Sequence, residues 1–265
     1  MNYVTRIAKV DQNERKNAIV EILQELRLPY IRQNAVFDDY SPENIIVSLN
    51  PSPSRLVIGA HWDSVKESTG ANDNAAACAI LLHLADALRD TDKSIDFVFF
   101  DREEYGGHGS RAYVQWVGRE NMAAMVNMDV CGYGDEITMA AKGNVNSPAF
   151  GKLLSEKHLE AHAVNVLKFL PHGDDDRFEE AGVPNISVCM LSKSDLDFFH
   201  RMDEKRAAGE ELSAEDNAAF MALDILATMH LRAKDHLETV SQKSMDILYR
   251  FVYEGLCDSV EKSDI

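Results

Sequence analysis

Two adjacent carboxylates stand at the end of an apolar run in FVFFDREEYGGHGS (97–110). Phe97 to Phe100 read as the end of a buried strand, and Asp101, Arg102, Glu103 and Glu104 lead into a Tyr-Gly-Gly turn and a helix start. Adjacent residues leaving a strand point in different directions, so Glu103 and Glu104 face different things. That geometry suits a division of labour in which one carboxylate holds a metal and the other handles a proton. Other acids and a histidine occupy matching places. His61 and Asp63 close the apolar run 56–62, Asp73 stands just before an alanine- and leucine-rich segment, and Asp129 lies near the end of 123–130. Each alone reads equally well as a core histidine, a helix cap or a turn residue. Packed together at one sheet edge, so many acids would repel unless a cation neutralised them. One histidine with mixed carboxylates and no cysteine fits Zn²⁺ or a similar divalent ion in a catalytic setting. A carboxylate bridging two ions ~3.5–4 Å apart would make a two-metal hydrolytic centre. His61 and Asp63, two apart on one strand, face the same side, so Asp63 is placed to orient the imidazole through its far nitrogen.

The surrounding pattern supplies the scaffold. Apolar runs at 44–49, 56–62, 95–100, 123–130, 164–169 and 185–191 predict strands, with 136–141 a short edge strand. Helical spacing predicts helices over 13–26, 74–88, 109–117, 148–158, 177–181, 214–229 and 241–257, with Gly182 closing the fifth of these. Alternating strands and helices imply an α/β three-layer sandwich, its mostly parallel, mixed central sheet covered by helices on both faces. Ligands in such folds bind outside the carboxyl ends of the strands, where His61, Asp63, Glu103, Glu104 and Asp129 all fall. A single domain spans 1–265, interrupted by a polar, loop-like insertion at about 192–213, extending as far as 229.

Composition bounds the partners. Lys and Arg number 27 against 44 Asp and Glu, a net charge of −17. That balance disfavours nucleic acid and anionic membrane. Cys78, Cys131, Cys189 and Cys257 are far apart in apolar segments and read as buried thiols in a reducing compartment. No export signal and no membrane span is evident, so a cytoplasmic location is expected.

Taken in order, GAHWDS (59–64), GANDNAAACAILL (70–82), FVFFDREEYGGHGS (97–110), NMDV (127–130) and GDDDRFEEAGVP (173–184) resemble the co-catalytic zinc aminopeptidases, with glutaminyl cyclases as relatives. The resemblance runs from about residue 13 to the C-terminus and implies a zinc-exopeptidase-like fold. It implies an aminopeptidase that removes the N-terminal residue of a peptide with a free N-terminus, through a zinc-activated water. Two zinc ions per chain are implied, with cobalt or manganese as substitutes. His61 and Asp129 would hold one ion, Glu104 the other, and Asp73 would bridge them. Glu103 would be the general base. The last ligand would be His230 in TMHLRAKDHLETVSQKSM, with His200 in DFFHRMDE the alternative. The former string departs from the family in having Leu231 where threonine is common, and Asp235 one place late. His172 and Asp174 lie in a loop expected to border the substrate pocket, and the insertion could make a subunit contact. Two rival readings share the motifs: a glutaminyl cyclase-like acyltransferase with a single zinc, and an inactive peptidase-like binding protein.

Overall fold

The computed structural model describes residues 2–37, 40–142, 145–230 and 232–257. Its strands are β1 (Ile31–Asn34), β2 (Glu43–Leu49), β3 (Arg55–His61), β4 (Ile95–Phe100), β5 (Met122–Met128), β6 (Glu136–Lys142), β7 (Asn165–Leu167) and β8 (Asn185–Leu191). They form one mixed sheet in the order β1-β2-β4-β3-β5-β8-β6-β7. The most continuous apolar runs become its middle. β4, β3, β5 and β8 are parallel to their neighbours in this block, and His61 pairs with Phe100 across the β3–β4 ladder. Strands buried on both faces need no polar alternation, and β4 and β8 are buried along their whole length.

The helices are α1 (Asn2–Ile7), α2 (Gln12–Glu25), α3 (Ala76–Ala87), α4 (His108–Val117), α5 (Glu156–Ala161), α6 (Asp175–Glu180), α7 (Lys193–Ala207), α8 (Ala214–Met221), α9 (Asp224–Ala227) and α10 (Gln242–Leu256). Ile19, Leu23, Leu81, Leu84, Leu248 and Phe251, from α2, α3 and α10, share one core with Leu56, Ile58, Val126 and Val188 of the sheet. On the other face Val57, Phe100 and Met125 pack with Tyr113 of α4 and Phe178 of α6. Farther along that face, α7 and α9 cover Cys189 and Leu191.

Several elements depart from the sequence expectation, each for a local reason. The segment read as a polar loop from 193 to 211 is mostly α7. Ser192 caps it by accepting from the Asp195 amide, and Asp195, Leu196, Phe198, Phe199 and Met202 are buried at helical spacing. Burying the four apolar side chains, at about 1.5–3 kcal/mol each, outweighs the polar composition of the exposed turns. The helix expected at 214–229 breaks into α8 and α9 at Leu223, whose ψ of 141 is extended. The one expected at 148–158 becomes a 3₁₀ turn and α5, separated by Gly151 at φ 59 and by the cap Ser155. β6 is no edge strand; it lies between β8 and β7, antiparallel to the first. β1 and α1 were not anticipated.

α4 starts hard against the loop that follows β4. The Gly109 amide donates to the Asp101 carbonyl at 2.8 Å, and the Asn44 side chain accepts from the Asp101 amide while donating to the Gly109 carbonyl. A Cβ on Gly109 would collide with the Asp101 backbone and Asn44 Oδ1. Gly109→Ala should therefore cost about 1–3 kcal/mol of stability, read as a lowered urea midpoint; an unchanged midpoint would show that this loop yields freely.

Candidate active site

β3 leads to β4 on one side of the sheet, whereas the chain beyond β5 continues to strands on the other side. The crevice at such a reversal is where open α/β sheets bind ligands. His61 ends β3 there, and Asp129 directly follows β5. Asp73 arrives from a single π turn, Ala71–Ala75, in which the Ala75 amide reaches back five residues to the Gly70 carbonyl. Asp73 and Asn74 leave helical dihedrals within that turn, and Asn74 Nδ2 donates to the Met128 carbonyl at the end of β5 at 3.0 Å. A π turn accommodates an extra residue in a helix and is frequent at functional sites; here it directs Asp73 into the crevice.

Two donor groups result. His61 Nε2 lies 3.2 Å from Asp73 Oδ1 and 3.4 Å from Asp129 Oδ1. His230 Nε2 lies 3.1 Å from Glu104 Oε2 and 3.4 Å from Asp73 Oδ2. In each group the three donor atoms lie within 4.8 Å of one another, close enough for one cation. Asp73 belongs to both, offering one carboxylate oxygen to each. Buried oxygens without a hydrogen-bond donor, Asp73 Oδ2 and Glu104 Oε1, fit a cation at these positions. The donor set of imidazoles and carboxylates suits a divalent ion such as zinc. Asp63 Oδ1 faces His61 Nδ1 at 3.4 Å and accepts the Glu103 amide at 3.0 Å, so one side chain fixes both the imidazole and the backbone of the neighbouring acid.

Electrostatics are dominated by burial. Burial opposes a charged His61, yet the nearby carboxylates of Asp129, Asp63 and Asp73 outweigh it and hold the imidazole well above its ordinary range. Burial pushes Glu103 well up, opposed by His61 and reinforced by Asp174, Asp129 and Asp63. Burial likewise raises Glu104, against the His230 bond, and lifts Asp174 to about 7. His230 rises to about 8 through its bond to Glu104. Both histidines are thus pushed toward their protonated forms.

The crevice opens into a cavity of about 490 Å³. Asp73, Glu103, Glu104, Asp129 and His230 line one wall; Val130, Leu170, Leu191, Phe199, Phe220 and Met229 are among those lining the other. His172 lines it as expected and bonds Asp176 at 2.6 Å, whereas Asp174, expected to border the pocket, is buried at 1% exposure and is not among the residues lining the cavity. His200 lies on the exposed face of α7, outside both donor groups. Phe199, Phe220 and Met229 belong to the apolar cluster under α7 and α9 and also line the cavity. Sequence reasoning missed Asn72, which donates to Thr228 Oγ1 at 2.7 Å and accepts the Gly132 amide at 2.7 Å. It also missed Arg15, whose signal was present: an arginine on the apolar stripe of Ala18, Ile19 and Ile22.

An α/β sheet whose reversal point gathers two carboxylate–histidine groups around a shared aspartate can accommodate divalent cations in its ligand-binding crevice. Residues 44–247 match Peptidase family M28, and the chain belongs to that family. It is 33% identical to Aminopeptidase YwaD of Bacillus subtilis over 105 residues, 36% of this chain and 23% of that protein. It is 38% identical to the glutaminyl-peptide cyclotransferase of Drosophila melanogaster over 103 residues, 31% of this chain and 29% of that one. The chain thus covers less than a third of the length of these curated relatives. Among solved structures it resembles a glutaminyl cyclase of Porphyromonas gingivalis at a TM-score of 0.67 and 17% identity, covering 96% of this chain and 95% of that chain. A Zn-dependent exopeptidase of Parabacteroides distasonis gives a TM-score of 0.66 at 16% identity, covering 97% and 96%. These likenesses show the zinc-exopeptidase-like fold. Among the described residues, no helix is long and apolar enough to cross a membrane.

The shifted groups fix a pH dependence for the metal-free protein. Asp174 moves from 3.8 to about 7 on folding and His230 from 6.5 to about 8. A group whose pKa rises on folding stabilises the fold fully below its unfolded value, and that contribution is lost as pH rises through the folded value. Metal-free protein should accordingly melt at a lower temperature at pH 8 than at pH 6.5, and saturating Zn²⁺ should raise the melting temperature more at pH 8. A metal-free melting temperature that climbs over this interval would contradict the charge balance described.

Proposed function

We propose that this chain is a metal-dependent aminopeptidase that hydrolyses the first peptide bond of a substrate with a free N-terminus. The observation that carries this reading is Asp73, whose two oxygens face two separate histidines in a cavity that Glu103 also lines. His61 and Asp129 would hold one zinc, Glu104 and His230 the second, and Asp73 both. The position of His230 against Glu104 and Asp73, compared with His200 on an exposed helix face, favours His230 as the last ligand. Zinc, when bound, supplies a polarised carbonyl and a water acidic enough to ionise near neutral pH.

The chain's own residues do the rest. Glu103, buried with a raised pKa, is suited to take a proton from the attacking water and return it to the leaving amine. Asp63 holds Glu103 through its amide and His61 through its Nδ1 face, keeping the proton acceptor in register with the metal side. The acidic wall favours a substrate ammonium group. The apolar wall, with Phe199 and Phe220 contributed by the segment 193–229, accepts a large apolar N-terminal side chain. His172 borders the same opening. The segment 193–229 is then a functional insertion in a single domain, and the buried thiols Cys78, Cys131 and Cys189 suit a cytoplasmic setting.

A glutaminyl cyclase-like acyltransferase with one zinc is the second reading, favoured by the near full-length likeness to the Porphyromonas gingivalis structure. A panel of aminoacyl anilides and N-terminal glutaminyl peptides, run with chelator and metal add-back, separates the two. Metal-dependent release of leucine, methionine or phenylalanine is expected; cyclisation of glutaminyl peptides without amino-acid release would overturn the peptidase reading. Glu103→Gln should keep fold and metal content while lowering kcat by roughly 10²–10⁴-fold, and substantial remaining turnover would remove Glu103 from its assigned role. His230→Ala should lose zinc where His200→Ala does not.

A further inference from the structure

Arg15 sits on α2, outside the residues matched to the family, and is fully buried. Its donors go to backbone carbonyls of two turns. Nε donates to the Trp62 carbonyl at 2.8 Å and Nη2 to that of Asp63 at 3.4 Å. Nη1 donates to the Thr69 carbonyl and, at 3.3 Å, to that of Gly70. The first turn carries His61 and Asp63; the second delivers Asp73.

The second turn is gripped from its other side by Asp235. Asp235 Oδ1 accepts the amides of Ala71 and Asn72 at 3.0 and 3.3 Å, and Oδ2 accepts Ser68 Oγ at 2.5 Å. Carbonyls of the turn thus meet a buried cation and its amides meet a buried anion. Gly70 makes the approach possible: at φ 51, a Cβ there would lie 2.9 Å from Arg15 Nη1 and 2.5 Å from the Asp73 carbonyl. Burying a guanidinium costs several kcal/mol unless its donors are satisfied, and an apolar residue would continue the α2 stripe at no such cost. The cation has a use that packing does not explain.

We infer that Arg15 is a positioning residue for the metal site, acting with Asp235 as a clamp that fixes the turn 68–72 and so the place of Asp73 between the two donor groups. Both residues join distant chain ends to the catalytic loop, Arg15 from α2 and Asp235 from the segment before α10. The inference rests on the proposed metal site, but not on hydrolysis of a peptide.

Arg15→Met, Arg15→Lys and the buried-core control Leu23→Ala test it with Co²⁺ as the probe. Three readouts apply: Co²⁺ affinity by chelator competition, the Co²⁺ absorption spectrum, and amide hydrogen exchange of 68–74 in metal-free protein. Arg15→Met should unfold cooperatively, bind Co²⁺ about 10-fold more weakly or worse, show an altered spectrum, and exchange faster at Ala71 and Asn72. Arg15→Lys, which keeps the charge, should recover part of the affinity. Leu23→Ala should lower the melting temperature without changing the spectrum. Unchanged affinity, spectrum and exchange in folded Arg15→Met, or equal changes in Leu23→Ala, would overturn the inference. Should Arg15→Met fail to fold, Arg15→Lys and Asp235→Asn decide: weakened Co²⁺ binding in both supports the clamp, and wild-type binding in both refutes it. None of these readouts requires turnover, so absence of peptidase activity leaves the result interpretable.

Discussion

Like charge held out of water is the constraint on which this molecule depends. The carboxyl groups of Asp63, Asp73, Glu103, Glu104, Asp129 and Asp174 converge near the ends of three parallel strands, Asp63, Asp73 and Asp174 buried and the others half-buried. Two unit charges ~4 Å apart interact by about 4 kcal/mol at an effective dielectric of 20, so a few unneutralised pairs would rival the 5–15 kcal/mol that typically holds a domain folded. The structure meets this in two ways. His61 and His230 are pushed toward their protonated forms by the acids, and burial shifts Glu103, Glu104 and Asp174 toward their neutral forms. Both arrangements are what a pair of divalent cations would displace.

The fold follows from where those groups must stand. Parallel strands place their carboxyl ends side by side, and the reversal of strand order between β3 and β5 opens a crevice between His61 and Asp129. The π turn at Ala71–Ala75 brings Asp73 between them, and β4 delivers Glu103 and Glu104 on consecutive residues. Opposite the acids, the α7–α9 segment supplies an apolar wall. One cavity thus joins an acidic wall to an apolar one.

Much of this was legible in the residues. The apolar runs at 56–62 and 95–100 are long enough, and end abruptly enough in acids, to announce buried strands with functional termini. His61, Glu103 and Glu104 could be nominated from their positions at those ends, Asp129 from the end of 123–130 and Asp73 from the start of a helical segment, and the structure gathers them. What could not be read has a shared physical cause: it depends on contacts between distant parts of the chain. Ser192 capping α7 is a local signal, but the value of Leu196, Phe198 and Phe199 depends on Cys189 and Leu191 beneath them. Arg15 makes sense only beside carbonyls 47 to 55 residues away. His230 and His200 are equivalent as letters; the fold turns one toward Glu104 and leaves the other on an exposed helix face.

The proposed function turns on Asp73 being shared by two ions. Anomalous diffraction at the zinc absorption edge, from crystals grown with zinc, tests it directly. The account predicts two peaks ~3.5–4 Å apart, one against His61 and Asp129, the other against Glu104 and His230, with Asp73 between them. A single peak, or a pair that leaves Asp73 without metal, would contradict it.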